Sequence, residues 1–182
     1  MDKVINHLKQ NKNEYILTAL IFILAIVLRL VCLNNIGAIW YEEILSWHFA
    51  EQNSFIETIK YVVNQDIQMP LYFVLLHFWT KLFGDDATVM RYLSFVITLP
   101  LIPLTYLIAR NLFNKTTAYF AAGYLAINTF CIYYCCETRA LCINLLLAPI
   151  IAFAFCKMTD KFEKKYIILY VISLSALFYN FT

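Results

Sequence analysis

Charge is missing from long stretches of this chain, and that limits what it can fold into. Four uncharged runs, 92–109, 117–136, 140–156 and 166–182, are each 17–20 residues long, and an earlier one, 15–33, is broken only by Thr18 and Arg29. At 1.5 Å per residue the first run makes a helix about 28 Å long, enough to cross the hydrocarbon of a bilayer. The 182 residues are 62% hydrophobic and 14% charged, against about 45–50% and about 25% in soluble domains. The expectation is an all-α, multi-pass membrane protein with about five transmembrane helices and short interfacial helices in its first outer loop. No internal repeat or flexible linker divides it, so residues 1–182 read as a single membrane domain. Pro100, Pro103 and Pro149 fall inside the runs, where proline is tolerated and marks kinks.

Charge placement suggests an orientation. Lys3, Lys9 and Lys12 precede the first run, so the positive-inside rule puts the N-terminus in the cytoplasm and residues 34–88 outside. The uncharged segment 67–80 is only about 21 Å long as a helix. If it spanned, Arg110, Lys115, Lys157, Lys161, Lys164 and Lys165 would all lie outside. If it lies in the interface or re-enters, both basic loops fall inside and the acidic loop outside, which is the preferred arrangement. A multi-pass protein of the plasma (inner) membrane is expected, with an N-terminal anchor that is not cleaved. Ser54 and Glu57 form a capping-box pattern, and Phe55, Ile59, Val62 and Val63 then recur at helical spacing, so a short amphipathic helix is expected on the bilayer. Trp40, Tyr41, Trp47 and Phe49 suit the headgroup zone.

Several classes drop out. A net charge of +2 without basic, aromatic-rich runs gives no nucleic-acid surface. The five runs contain no acids, which argues against an ion-coupled transporter. The six cysteines lie in or beside apolar runs without metal-ligand spacing and read as small apolar residues. No phosphate-binding glycine loop or dinucleotide fingerprint occurs, so a sugar donor would arrive on a lipid rather than as a nucleotide.

Chemistry-bearing residues collect in two places. Glu42 and Glu43 follow Trp40 and Tyr41 just past the first run, and Asp66 closes the same loop. Both glutamates would open a helix, whose N-terminal end favours negative charge. A step of about 100° per residue keeps them off a common face, so one aims at a substrate while the other caps or pairs. The second place is Glu137-Thr138-Arg139, between the third and fourth runs. It reads either as a snorkelling ion pair or as a phosphate-facing arginine oriented by a carboxylate. Arg29 is explained by snorkelling or by a lipid phosphate, and Arg91 reads the same way. His77 reads as a packed interfacial histidine. His48 lies near the acids but has no metal-ligand spacing.

Five motifs in order carry a resemblance. They are Leu28-Arg29-Leu30 with Trp40-Tyr41-Glu42-Glu43 and Ser46; Asp66-Ile67-Gln68-Met69-Pro70-Leu71-Tyr72-Phe73 with Leu75-Leu76-His77-Phe78-Trp79; Phe83-Gly84-Asp85 with Arg91-Tyr92-Leu93; Tyr133 to Leu141; and Leu177-Phe178-Tyr179-Asn180-Phe181. Together they resemble the polytopic class C glycosyltransferases that use polyprenyl-phosphate sugars, nearest the bacterial relatives of protein O-mannosyltransferases and aminoarabinose transferases. The resemblance implies a membrane glycosyltransferase, or the N-terminal part of one, transferring a sugar outside the cytoplasm. Its catalytic acid falls on Glu42, with Glu43 and Asp66 as further catalytic candidates. Arg29, Glu137, Arg139 and Tyr72 are the candidates for lipid-phosphate or substrate binding. The implied partners are a polyprenyl-phosphate sugar lipid, membrane lipids and a missing C-terminal half or partner subunit; no nucleic acid is expected. No cofactor is named and no metal ligands are assigned, with a divalent cation left open. The family aspartate is glutamate here, its His-Pro-Pro reads Gln68-Met69-Pro70, and its last histidine is Asn180. These departures and the short chain keep an alternative open: a non-catalytic membrane protein that binds lipid or a partner helix.

Overall fold

A computed structural model describes residues 12–65 and 70–180, and these are helical nearly throughout, with no strand among them. The helices are α1 Lys12–Asn35, α2 Tyr41–Ala50, α3 Phe55–Gln65, α4 Leu71–Phe83, α5 Ala87–Thr98, α6 Leu101–Leu112, α7 Lys115–Ile127, α8 Thr129–Cys136, α9 Leu141–Asp160 and α10 Lys164–Phe178. Among the described residues three segments are long and apolar enough to cross a bilayer: Glu14–Asn35, Ala87–Leu112 and Leu141–Asp160.

The other two expected crossings are helical but differ from the simple expectation. The run 117–136 is two helices, because Asn128 leaves the helical conformation (φ −65°, ψ 117°). Its side chain accepts a hydrogen bond from Cys131 N at 2.9 Å and so caps α8, while its Nδ2 donates to the Tyr124 hydroxyl. A short side chain that binds its own backbone competes with the helix ladder, which is why Asn interrupts an otherwise apolar run. The last expected crossing is α10, 15 residues long. Segment 67–80 contributes α4, of 13 residues, about 20 Å and too short to span. Of the prolines, Pro100 parts α5 from α6 and Pro103 sits in the first turn of α6, while α9 continues through Pro149.

α1 packs on α6, α7 and α8, and α5 and α6 pack on α9, which carries α10 on its far side. Ala118, Ala122 and Ala126 line one face of α7 and are fully buried. Four-residue spacing puts these small side chains in one stripe, and the backbones can approach closely. Phe120, Tyr124 and Ile127 of the same helix face outward, as does the α1 stripe Leu20, Ile23, Leu24, Val27 and Val31. Outward apolar side chains suit a lipid solvent.

The two ends of the bundle differ. At the start of α1, Glu14 is buried and accepts the Tyr106 hydroxyl at 2.5 Å, and it pairs with Arg110 and with Lys115 at 2.9 Å. At the other end α2, α3 and α4 pack together over α5. Ser54 Oγ accepts from Glu57 N at 3.3 Å, so the expected cap forms. Phe49 is 3% exposed and meets Phe73 edge-on at 5.0 Å. It is thus a core residue instead of the headgroup anchor expected of it, and such an aromatic pair adds about 0.5–1.5 kcal/mol beyond burial.

The Asn128 cap can be tested in detergent. Asn128→Ala is expected to cost about 1 kcal/mol, lowering the melting temperature by roughly 2–4 °C, whereas Asn128→Ser keeps most of the stability.

Candidate active site

The loop after α1 sets up the site. Gly37 adopts φ +80°, a conformation open to glycine and strained for other side chains. The chain then turns so that the Trp40 carbonyl accepts from Glu43 N and Ile44 N, both at 3.0 Å, and α2 begins. Glu42 and Glu43 stand in its first turn. They point to different places, as the helical step requires.

Glu43 turns inward and is 1% exposed. Arg91, near the start of α5 and also buried, grips it with a two-pronged contact, Nε to Oε1 at 2.9 Å and Nη2 to Oε2 at 2.5 Å. The remaining guanidinium capacity goes to the carbonyls of Gly37 (Nη1, 2.9 Å) and Ala38 (Nη2, 3.3 Å). Glu43 Oε1 also accepts from Thr138 N at 3.0 Å. Burial pushes the Glu43 carboxyl up, but the Arg91 fork and the Thr138 N–H outweigh it and hold it below the ordinary carboxylate range. Arg91 is therefore an internal partner and not the snorkelling or phosphate-facing side chain expected of it. What sequence reasoning missed was partner choice: an arginine with a carboxylate available inside the protein need not reach the headgroups.

Glu42 faces a narrow cleft with Ser46, Phe49, Phe73, Arg139 and Leu141. Its Oε2 lies 3.6 Å from Arg139 Nη2, and both side chains are partly exposed, at 37% and 27%. The Arg139 guanidinium also sits over the Trp40 ring, 5.9 Å from its centroid, within cation–π range. The acidic loop and the 137–139 turn singled out in the sequence thus meet at one end of the bundle.

Glu137 departs from its expected role. Arg139 pairs with Glu42, while Glu137 turns inward, fully buried, and neither carboxyl oxygen has a hydrogen-bond partner among the described residues. Burial pushes its carboxyl above the ordinary value of 4.5; Arg139 pulls it back and the charge of Glu43 adds to the rise.

The remaining candidates are spread out. Tyr72 is a core residue whose hydroxyl meets Ser94 Oγ at 3.0 Å. Arg29 is 2% exposed and points into the bundle, Nη1 to Ala25 O at 3.0 Å and Nη2 to Cys131 Sγ at 3.7 Å, so it does not reach the cleft. His77 is packed, its Nδ1 2.8 Å from Ala50 O, and His48 Nε2 meets the Tyr61 hydroxyl at 3.1 Å. Asp66 lies outside the described residues. Asn180, in the last motif, is buried and donates to Ala140 O and Asn144 Oδ1, both at 2.7 Å, tying the end of α10 to the first turns of α9. Among the described residues no cluster of three or more His, Cys, Asp or Glu side chains has the arrangement of a metal site.

The described residues thus form an all-helical bundle with apolar, membrane-length helices and an acid and an arginine facing each other at one end. The family is shown by sequence: residues 68–180 match the dolichyl-phosphate-mannose-protein mannosyltransferase family, and the chain belongs to it. The match begins after the Glu42–Glu43 loop and includes Arg91, Glu137 and Arg139. No curated protein and no solved structure matches the chain.

Two stability measurements follow. Arg91→Met leaves the Glu43 carboxylate buried and alone, an expected loss of about 3–5 kcal/mol, read as a collapse of the melting temperature. The two buried acids carry opposite pH signatures. Glu43 is held low, so its contribution is present above about pH 4.5 and lost as pH falls through its folded pKa. Glu137 is raised, so its contribution is present below 4.5 and lost as pH rises through its folded pKa. Melting curves of Glu137→Gln are therefore expected to fall less steeply than wild type as pH rises above 4.5.

Proposed function

We propose that this protein transfers a sugar from a polyprenyl-phosphate donor to an acceptor on the extracytoplasmic side of the membrane. The observation that carries this reading is the cleft in which a partly exposed Glu42 faces Arg139 at 3.6 Å, at one end of an apolar bundle. Membership of a mannosyltransferase family supports the reaction class.

The chemistry is a single displacement. The acceptor hydroxyl oxygen forms a bond to the anomeric carbon, and the bond from that carbon to the phosphate oxygen breaks. The electron pair leaves with the lipid phosphate, and the acceptor proton passes to Glu42. Arg139 moves its guanidinium from Glu42 to the phosphate and stabilises the charge that grows there. That same exchange frees Glu42 for the acceptor. Glu43, already saturated by Arg91, orients its neighbour and takes no proton. For the prenyl chain, a cavity of about 520 Å³ opens between α6, α7, α8 and α9, lined by Leu101, Thr105, Leu125, Phe130, Leu145 and Pro149, within the usual size range of ligand sites.

In the orientation we favour, α1, α5 with α6, the bent pair α7 and α8, α9 and α10 make five crossings, and α2 to α4 lie at the outer face. The Glu14, Arg110 and Lys115 end is then cytoplasmic, as the positive-inside rule prefers. In this reading the protein is a multi-pass protein of the plasma (inner) membrane with its N-terminus inside.

With purified protein and lipid-linked sugars, Glu42→Gln is expected to lower turnover by about 100-fold or more, the usual worth of a general base. Equal turnover from both forms would remove Glu42 from the mechanism. Orientation is checked separately with an impermeant maleimide on intact cells: Tyr41→Cys is expected to label from outside, and Lys161→Cys only after permeabilisation.

A further inference from the structure

The buried pair Arg91 and Glu43 touches three segments that each supply one part of the cleft. The loop 36–40 carries Trp40, against which Arg139 lies; α2 carries Glu42; the turn 137–140 carries Arg139. Arg91 holds the loop through Gly37 O and Ala38 O and holds α2 through both oxygens of Glu43. Glu43 in turn holds the turn through Thr138 N, one residue before Arg139. Among the described residues this is the hydrogen-bonded junction that joins all three.

Such a junction is a costly way to fill space. Two charges that leave water lose several kcal/mol each, and apolar side chains of similar volume often stabilise a fold as well or better. What the charged pair supplies is direction: the planar guanidinium and the carboxylate meet in one geometry, with the donors and acceptors fixed. In a site where a displacement of about 1 Å can cost on the order of 100-fold, that matters to the group at the end of the chain of contacts. We infer that Arg91 is a positioning residue, which acts through Glu43 and the Thr138 amide to aim Arg139 at the phosphate of the lipid ligand. The inference rests on the donor reading given above.

The test separates aim from folding by replacing both charges together. Arg91→Met with Glu43→Gln leaves no lone buried charge, so the double variant is expected to fold. Binding of farnesyl phosphate and of farnesol is measured to the full chain in nanodiscs, and the ratio of the two affinities is the readout. Farnesol reports the apolar groove, which the brace does not touch; the ratio reports the phosphate grip alone. Wild type is expected to prefer the phosphate at least tenfold, and Arg139→Met to lose that preference. The double variant is expected to lose most of it with farnesol binding unchanged, and to lose nothing further when Arg139→Met is added, because all three act along one line. Arg91→Lys, which keeps the charge but not the fork, is expected to fall between and to serve if the double variant does not fold. A double variant or Arg91→Lys that keeps the wild-type ratio overturns the positioning role and leaves the donor reading standing. A wild type with no preference for phosphate over alcohol overturns both.

Discussion

Everything at the polar end of this bundle depends on one desolvated ion pair. Arg91 and Glu43 sit where a loop, a short helix, a long helix and a tight turn converge, and they satisfy backbone groups of the loop and of the turn. In a low-dielectric setting a carboxylate with three hydrogen bonds stays ionised and rigid, and its partner does the same. The adjacent glutamate inherits a defined direction because its neighbour is fixed. That is how two identical side chains in sequence come to have different properties: one buried and saturated, the other open to the cleft.

Contrast explains the chemistry of the turn that follows. Within residues 137–139 the chain carries a buried acid that pairs with no cation among the described residues, a residue whose amide serves Glu43, and an arginine that reaches outward. Burial of a carboxyl raises its pKa, because desolvation penalises the charged form. The turn therefore presents its arginine toward the cleft and its acid toward the interior.

Much of this was readable in the residues, and the unread parts have a common cause. The long α1, the capped α3 beginning after Ser54, and the divergence of Glu42 and Glu43 follow from local rules of hydropathy, capping and helical period. The meeting of the 42–43 and 137–139 loops was legible because topology alone places both at one end. What escaped were choices among partners. Arg91 and Arg29 each read as snorkelling or as facing a lipid phosphate, yet both turn inward, one to a carboxylate and one to a carbonyl and a thiol. Glu137 read as the companion of Arg139, and Glu42 took that place. Periodicity says which residues share a face, but not which of several charged neighbours comes within 3 Å. The break at Asn128 was missed because a single polar residue barely lowers the hydropathy of an apolar window, although Asn is among the best residues for starting a new helix.

The same break has a consequence outside the protein. In the five-crossing orientation proposed above, α1 and α5–α6 are tall crossings, while α10 has 15 residues and the path from α7 to α8 bends at Asn128, so the apolar belt is of unequal height around its circumference. A straight helix of 15 residues is about 22 Å long, against about 30 Å of hydrocarbon. Lipid beside the short helices must thin or the helices must stand upright to compensate, at a modest cost for each ångström of mismatch. In that orientation the bilayer is thinned beside α10 and beside the bent pair α7–α8, and relaxed beside α1 and α5–α6.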